Sequence, residues 1–329
     1  MAPLHPQTRR YLEFLRAWTE PEEAASADAR DGTDGDWWER SIEKMRRQVG
    51  AVLPLERREL PEVRDVTVPG EDGPVPLRLY RPEGRSPLPA LVYLHGGGWV
   101  VGGPENVDAA CRELAAEAGC AVLNVDYRLA PEHPFPAAVE DAWAVTSAAI
   151  AEPGRFGVDP RAVAVAGDSA GGNLAAAVAL MARDRGVRLA HQLLVYPVTD
   201  TAMDTPSYAA YGRGYGLDAE GMARNLELYR GGADPADPRL APLRAPDLAG
   251  AAPATVITAE YDVLRDEGEA YARRLTEAGV PVELRRYEGV VHSFFLLPDL
   301  FDAGAEAMEF AVRRLRAAFA ASPRRDSAV

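Results

Sequence analysis

Beyond residue 88 the chain alternates between short unbroken apolar runs and longer stretches whose apolar residues recur every three or four positions. The runs at 89–94, 120–125, 161–166, 189–195 and 254–259 are rich in Val, Leu and Ala and suit strands buried on both faces, and 281–287, which also carries Glu283, Arg285 and Arg286, reads as a further strand. The stretches between them carry the amphipathic period of helices. Strand and helix in such alternation predict a largely parallel sheet wrapped by helices. Upstream, residues 63–68 and 75–80 flank the turn Pro69-Gly70-Glu71-Asp72-Gly73-Pro74 and predict an antiparallel hairpin at the sheet edge. Nearer the N-terminus, Tyr11, Phe14, Leu15 and Trp18 recur at helical spacing, and Trp37-Trp38 opens a second helical pattern through Met45 and Val49. Residues 21–32 between them are acidic and poor in apolar side chains, which predicts a mobile connection. The rhythm breaks after Tyr196-Pro197. Residues 200–239 hold Tyr208, Tyr211, Tyr215, Leu217, Leu226 and Tyr229 without a strand pattern.

Two glycine-rich segments interrupt this scheme at chemically suggestive places. Gly167-Asp168-Ser169-Ala170-Gly171-Gly172 follows an apolar run and opens an alanine-rich helical stretch, so Ser169 sits at a strand-to-helix hinge of small residues, the pattern of a nucleophile elbow. His95-Gly96-Gly97-Gly98-Trp99 follows an earlier run and exposes backbone N–H groups with no side chain in the way. Acyl transfer needs such donors, because its tetrahedral intermediate carries an oxyanion that each preorganised N–H stabilises by about 3 kcal/mol.

Together with Asp126-Tyr127-Arg128-Leu129-Ala130-Pro131-Glu132, these motifs resemble the hormone-sensitive-lipase family of α/β-hydrolases, in its bacterial carboxylesterase branch with a G-D-S-A-G elbow. The resemblance covers the catalytic core and is weakest before residue 60. It implies an α/β-hydrolase fold, with a mostly parallel central sheet flanked by helices and a helical cap. The cap would comprise residues 1–60 and an insertion at 200–239, and the catalytic domain residues 61–199 and 240–329. From the family's glycine loop, Gly97 and Gly98 are carried over as oxyanion donors, joined by the N–H of Ala170 after the nucleophile. A cap above that loop would leave Trp99, Val100, Tyr208 and Tyr211 lining the substrate pocket, or serving as the cap's own core.

Ser169 needs a base, and the chain has five histidines. His5 lies in the N-terminal helical segment, His95 in the glycine loop, His133 in a proline-rich turn and His191 in a strand pattern. His292 remains. It follows the run at 281–287 and the turn Glu288-Gly289 and precedes the final helix at 303–318, where the last loop of this fold presents its base. The acid is expected between Ser169 and His292. Asp262 lies just beyond the run at 254–259, whereas Asp266 and Glu267 fall in the first turn of the next helix, where the helix dipole favours acids without catalysis. Asp262-Val263-Leu264-Arg265-Asp266-Glu267-Gly268 is similar to the family's D-P-L-R-D-E-G, with Val263 in place of proline.

Composition adds exclusions. The 36 basic and 50 acidic side chains give a net charge of −14, which repels nucleic-acid phosphates and anionic membranes. The N-terminus has no uninterrupted apolar core of a secretory signal, and no stretch is long enough to span a bilayer. Cys111 and Cys120 read as two buried thiols. A cytoplasmic enzyme is therefore expected. No His/Cys cluster has metal-ligand spacing and no glycine loop has a phosphate-binding context, so neither metal nor organic cofactor is expected. The resulting expectation is a serine esterase acting on small-molecule esters, with short to medium acyl chains. A tailoring acyltransferase or amide deacylase on the same triad remains open, as does a receptor-like small-molecule binder that has lost catalysis. The resemblance also implies a homodimer through the last sheet edge and the C-terminal helix.

Overall fold

The structure, a computed structural model, describes residues 3–27, 42–43, 46, 57–84 and 86–323. One eight-stranded sheet in the order β1-β2-β4-β3-β5-β6-β7-β8 organises the molecule. The hairpin β1 (Glu62–Gly70) and β2 (Gly73–Arg81) forms one edge, and β2 continues antiparallel to β4 (Ala121–Val125). All other pairings, through β3 (Leu88–Leu94), β5 (Val158–Asp168), β6 (His191–Val195), β7 (Ala254–Tyr261) and β8 (Val282–Val291), are parallel. Every residue of β4, β6 and β7 is buried. Unbroken apolar runs are what a strand covered on both faces requires.

Helices α1 (Pro6–Ala27), α2 (Asp108–Ala118), α3 (Ala137–Ala151) and α4 (Ala170–Asp184) precede α5 (Pro206–Tyr211) and α6 (Ala219–Arg230), which rise between β6 and β7. Helices α7 (Arg265–Glu277) and α8 (Asp302–Ala320) complete the chain. α3 packs on α4, and α2 packs on α8. In α4 every residue from Ala170 to Ala182 is buried, which accounts for its alanine content: small side chains let a helix lie directly on the sheet.

Two expectations change. Helix α1 runs on to Ala27, so the first seven residues of the expected mobile connection at 21–32 are helical, consistent with the strong helix preference of its Glu and Ala residues. The second N-terminal helical pattern, from Trp37 to Val49, lies largely outside the described residues. In addition, the turn expected at Glu288-Gly289 is a kink inside a longer β8. Gly289 adopts φ +73°, and the β7–β8 register shifts between Ala259 and Tyr261 before Tyr261 pairs with Val291. The N-terminal segment is fastened at this kink, where Gly289 O accepts from His5 N at 2.9 Å and from Thr8 Oγ1 at 2.7 Å.

Candidate active site

Register brings the candidate residues together. Leu94 pairs with Gly167, so the glycine loop and the elbow leave neighbouring strands at the same level. Tyr261 pairs with Val291, so Asp262 and His292 are the next residues on adjacent strands. All leave the carboxyl ends of parallel strands, where an open α/β sheet forms its crevice.

Ser169 sits at φ 56°, ψ −120°, a conformation that costs a non-glycine residue about 1–3 kcal/mol and persists only when its surroundings over-determine it. Here they do. Ser169 N donates to Val195 O at 2.9 Å. A Cβ on Gly167 would collide with Gly171 O, and one on Gly171 with Leu94 O, so strand and helix meet at a distance only glycine permits. His292 Nε2 lies 3.0 Å from Ser169 Oγ, and His292 Nδ1 lies 2.7 Å from Asp262 Oδ2. A carboxylate only accepts, so Nδ1 carries the hydrogen and Nε2 presents its lone pair to the serine hydroxyl. Asp262 is itself fixed by Leu264 N at 3.0 Å, and the His292 ring rests on Tyr196 at 4.4 Å between centroids.

The competing residues are occupied elsewhere. Asp266 accepts from Ser207 N, and Glu267 accepts from Thr199 N and Asp200 N. His95 stacks on Tyr127 and donates Nδ1–H to Gly96 O; burial lowers its pKa to about 4. His191 lies within the sheet on Thr255 Oγ1, and its pKa is likewise lowered by burial to about 4. His133 is exposed, and His5 lies at the start of α1.

Gly97 (φ 118°) and Gly98 (φ 59°) occupy backbone conformations that favour glycine, and a Cβ on Gly98 would strike the Asn225 side chain on α6. Ala170 opens α4, so its N–H has no intrahelical acceptor and the positive end of the helix dipole faces Ser169. The 126–132 motif supports the glycine loop from behind. Tyr127 Oη donates to His95 O at 2.7 Å, Ala130 N donates to Trp99 O at 2.9 Å, and Glu132 pairs with Arg46, whose guanidinium also donates to Val100 O and Ala130 O.

Asp168 has a part that the motif alone does not disclose. Its Oδ1 accepts from Gly96 N and from Tyr93 Oη, both at 3.1 Å, linking the elbow to the glycine loop, and burial raises its pKa to about 6. Its position inside the elbow is the only sequence signal.

The cavity over Ser169, about 290 Å³, has Gly96, Gly97 and Gly98 on one side and Val101, Asn106 and Val107 beside them. Leu217, Met222 and Asn225 from the α5–α6 region face them, with Leu296 beyond His292. The four expected pocket residues lie elsewhere. Trp99, at φ 61°, is turned into the interior, where it stacks on Tyr229 at 4.4 Å. Val100 is fully buried in the core. Tyr208 is buried in α5, and Tyr211 packs with Tyr215 and Tyr261 at 5.3 Å each and hydrogen-bonds Arg265. These aromatics pack residues 206–230 against the glycine loop and β7.

Among the described residues no three His, Cys, Asp or Glu side chains are grouped to hold a metal, and no helix is long and apolar enough to cross a membrane.

The profile of a family described as alpha/beta hydrolase fold matches residues 91–296. The chain is 44% identical over 264 residues to carboxylic ester hydrolase LipN of Mycobacterium tuberculosis, covering 78% of this chain and 70% of that protein. It is 37% identical over 298 residues to an ethyl acetate hydrolase of Pseudomonas putida, covering 82% and 94% respectively. Among solved structures, an alpha/beta hydrolase enzyme from the metagenome of Lake Arreo, Spain, superposes with a TM-score of 0.86 at 38% identity, covering 96% of this chain and 99% of the other.

Proposed function

This chain belongs to the hormone-sensitive-lipase-like family of the α/β-hydrolase fold, and from that premise we propose that it is a serine carboxylesterase hydrolysing short- to medium-chain esters through an acyl-serine. The observation that carries the reading is the unbroken Asp262–His292–Ser169 hydrogen-bonded chain on a strained elbow beside unencumbered glycine N–H groups.

Ser169 Oγ attacks the ester carbonyl while His292 Nε2 takes its proton, and Asp262 holds the imidazole in place and stabilises its charged form. The N–H groups of Gly97, Gly98 and Ala170 receive the oxyanion. Collapse of the tetrahedral intermediate breaks the bond to the alcohol oxygen, which takes the proton from His292. Water then gives its proton to His292, attacks the acyl-serine and releases the acid as Ser169 regains its hydrogen. The catalytic cavity of about 290 Å³ falls at the lower end of small-ligand sites, which favours small, monomeric esters over long-chain triglycerides.

The reaction runs on protein groups alone, so no cofactor is invoked. Free, buried Cys111 and Cys120 accord with a reducing cytoplasm, and the outer edge of β8 before Gly289, with exposed Leu284, is the surface on which a second copy would add to form a dimer.

Purified protein should hydrolyse p-nitrophenyl acetate to hexanoate in preference to longer esters and to the matching anilides. Ser169→Ala should fold normally and lose about a millionfold in turnover, and His292→Ala should lose a comparable amount. Retention of a few per cent of activity by Ser169→Ala, with contamination excluded, would falsify the assignment.

A further inference from the structure

We infer that Leu296 is a partition that limits the size of the ester's alcohol group, and that a larger cavity behind it is an unused continuation of the alcohol subsite. The inference rests on the esterase reading above. Leu296 lines two cavities at once: the one over Ser169, of about 290 Å³, and a second of about 520 Å³. The same stretch of chain walls both on the facing side, with Asn106 and Val107 on the first and Ala109 and Ala110 on the second. Pro298, Ala305 and Met308 add apolar wall to the second cavity, and the carboxylates of Glu113, Asp299 and Glu309 also line it. Its two guanidinium groups are engaged at the rim, Arg57 with Glu105 and Asp108, and Arg58 with Glu113 and Glu117. An alkyl group therefore suits this space better than an anion does.

The partition is firmly held. Leu296 closes a single 3-10 turn, Phe294–Leu296, in which its N–H donates to Ser293 O at 3.1 Å, and both preceding phenylalanines are fully buried. Its place on the His292 loop identifies which arm of the substrate it meets. The base that takes the serine proton must return it to the leaving oxygen, so the alcohol departs on the side of His292. An alcohol group that grows along this loop meets the Leu296 side chain, and beyond that side chain lies the second cavity.

The test compares ethyl, butyl, hexyl and octyl acetate, each below its solubility limit, with the wild type and Leu296→Ala. In the wild type, kcat/KM stops rising once the alkyl group fills the first cavity. In the variant, each further methylene buried behind the former partition should add about fourfold, so the octyl-to-butyl ratio should rise at least about tenfold over that of the wild type. Adding Met308→Trp to Leu296→Ala, which refills the second cavity from another of its lining positions, should bring the ratio back. An unchanged ratio in a folded variant that still cleaves butyl acetate overturns the partition, and so does a gain confined to ethyl esters of longer acids. If Leu296→Ala does not fold, Leu296→Val must show the same trend at smaller amplitude. If the wild type cleaves no ester, the esterase reading fails by itself. The partition is then decided by sub-millimolar 1-octanol, which should raise the melting temperature of Leu296→Ala and leave that of the wild type unmoved; equal responses overturn it.

Discussion

Ser169 is held in a backbone conformation that most serines avoid, and its oxygen meets His292 only because of it. Asp262 has the corresponding duty toward His292. Asp262→Asn should lower kcat by about 10⁴-fold with little change in melting temperature, because the amide can present a donor to Nδ1 and favour the wrong tautomer. Asp266→Asn should leave turnover broadly intact, since its carboxylate serves Ser207 N and Arg265. Steady-state kinetics on both variants decides the matter, and equal losses would leave the acid unassigned. Ser169, Asp262 and His292 are legible in the amino-acid sequence because their chemistry restricts the residue types and the strand pattern restricts their places. The pocket is not. At φ 61° the Trp99 side chain turns inward onto Tyr229, and no periodicity announces the direction of a side chain in a loop of that conformation. Val101, Met222 and Leu296 line the cavity as ordinary apolar residues, without any local mark to separate them from core.

Among the elements, the decisive fit is between β3 and the start of α4. The Leu94 and His95 carbonyl oxygens both lie where a Cβ on Gly171 would go, and backbone on both sides leaves nothing flexible to yield. Gly171→Ala should therefore cost at least about 4 kcal/mol or prevent folding, whereas Gly154→Ala, with open space around it, should stay within about 0.5 kcal/mol of the wild type. Urea midpoints measure both, and a mild Gly171→Ala would mean that strand and helix can separate without loss. Most of the strands are readable as apolar runs, yet β8 carries Glu283, Arg285 and Arg286 and extends past the segment 281–287. Gly289 has the look of a turn, and only the partner strand reveals that it is a kink with pairing resumed beyond it. Conversely, α1 extends through a segment whose acidic composition suggests a connection, because Glu and Ala permit helix without requiring an apolar stripe.

Across the whole molecule, buried acids make stability depend on pH, Glu267 over the widest range. Glu267 is fully buried, and although it accepts from Thr199 N and Asp200 N, burial outweighs those donors and raises its pKa from the ordinary 4.5 to about 8. The neutral acid suits the folded site. Its contribution is complete below pH 4.5 and is lost as pH rises through 8. Glu267→Gln should therefore gain on the wild type as pH rises from about 5 to about 9, read as the difference between the two melting temperatures. A difference that stays constant across that range would show that the carboxyl does not change charge there.

The pairing of Tyr261 with Val291 also has a kinetic meaning. Ser169 and His292 stand 123 positions apart, and His292 comes within reach of Ser169 when β8, the last strand, has docked on β7. Parallel pairing between distant segments is slow to form, because loop closure precedes the contacts that reward it. Turnover should thus report the end of folding rather than its progress. During dilution from urea, helical circular dichroism should recover first, and hydrolysis should return only with the slowest phase that docks β8. Substantial activity before that phase would mean that the catalytic residues can assemble without the completed sheet.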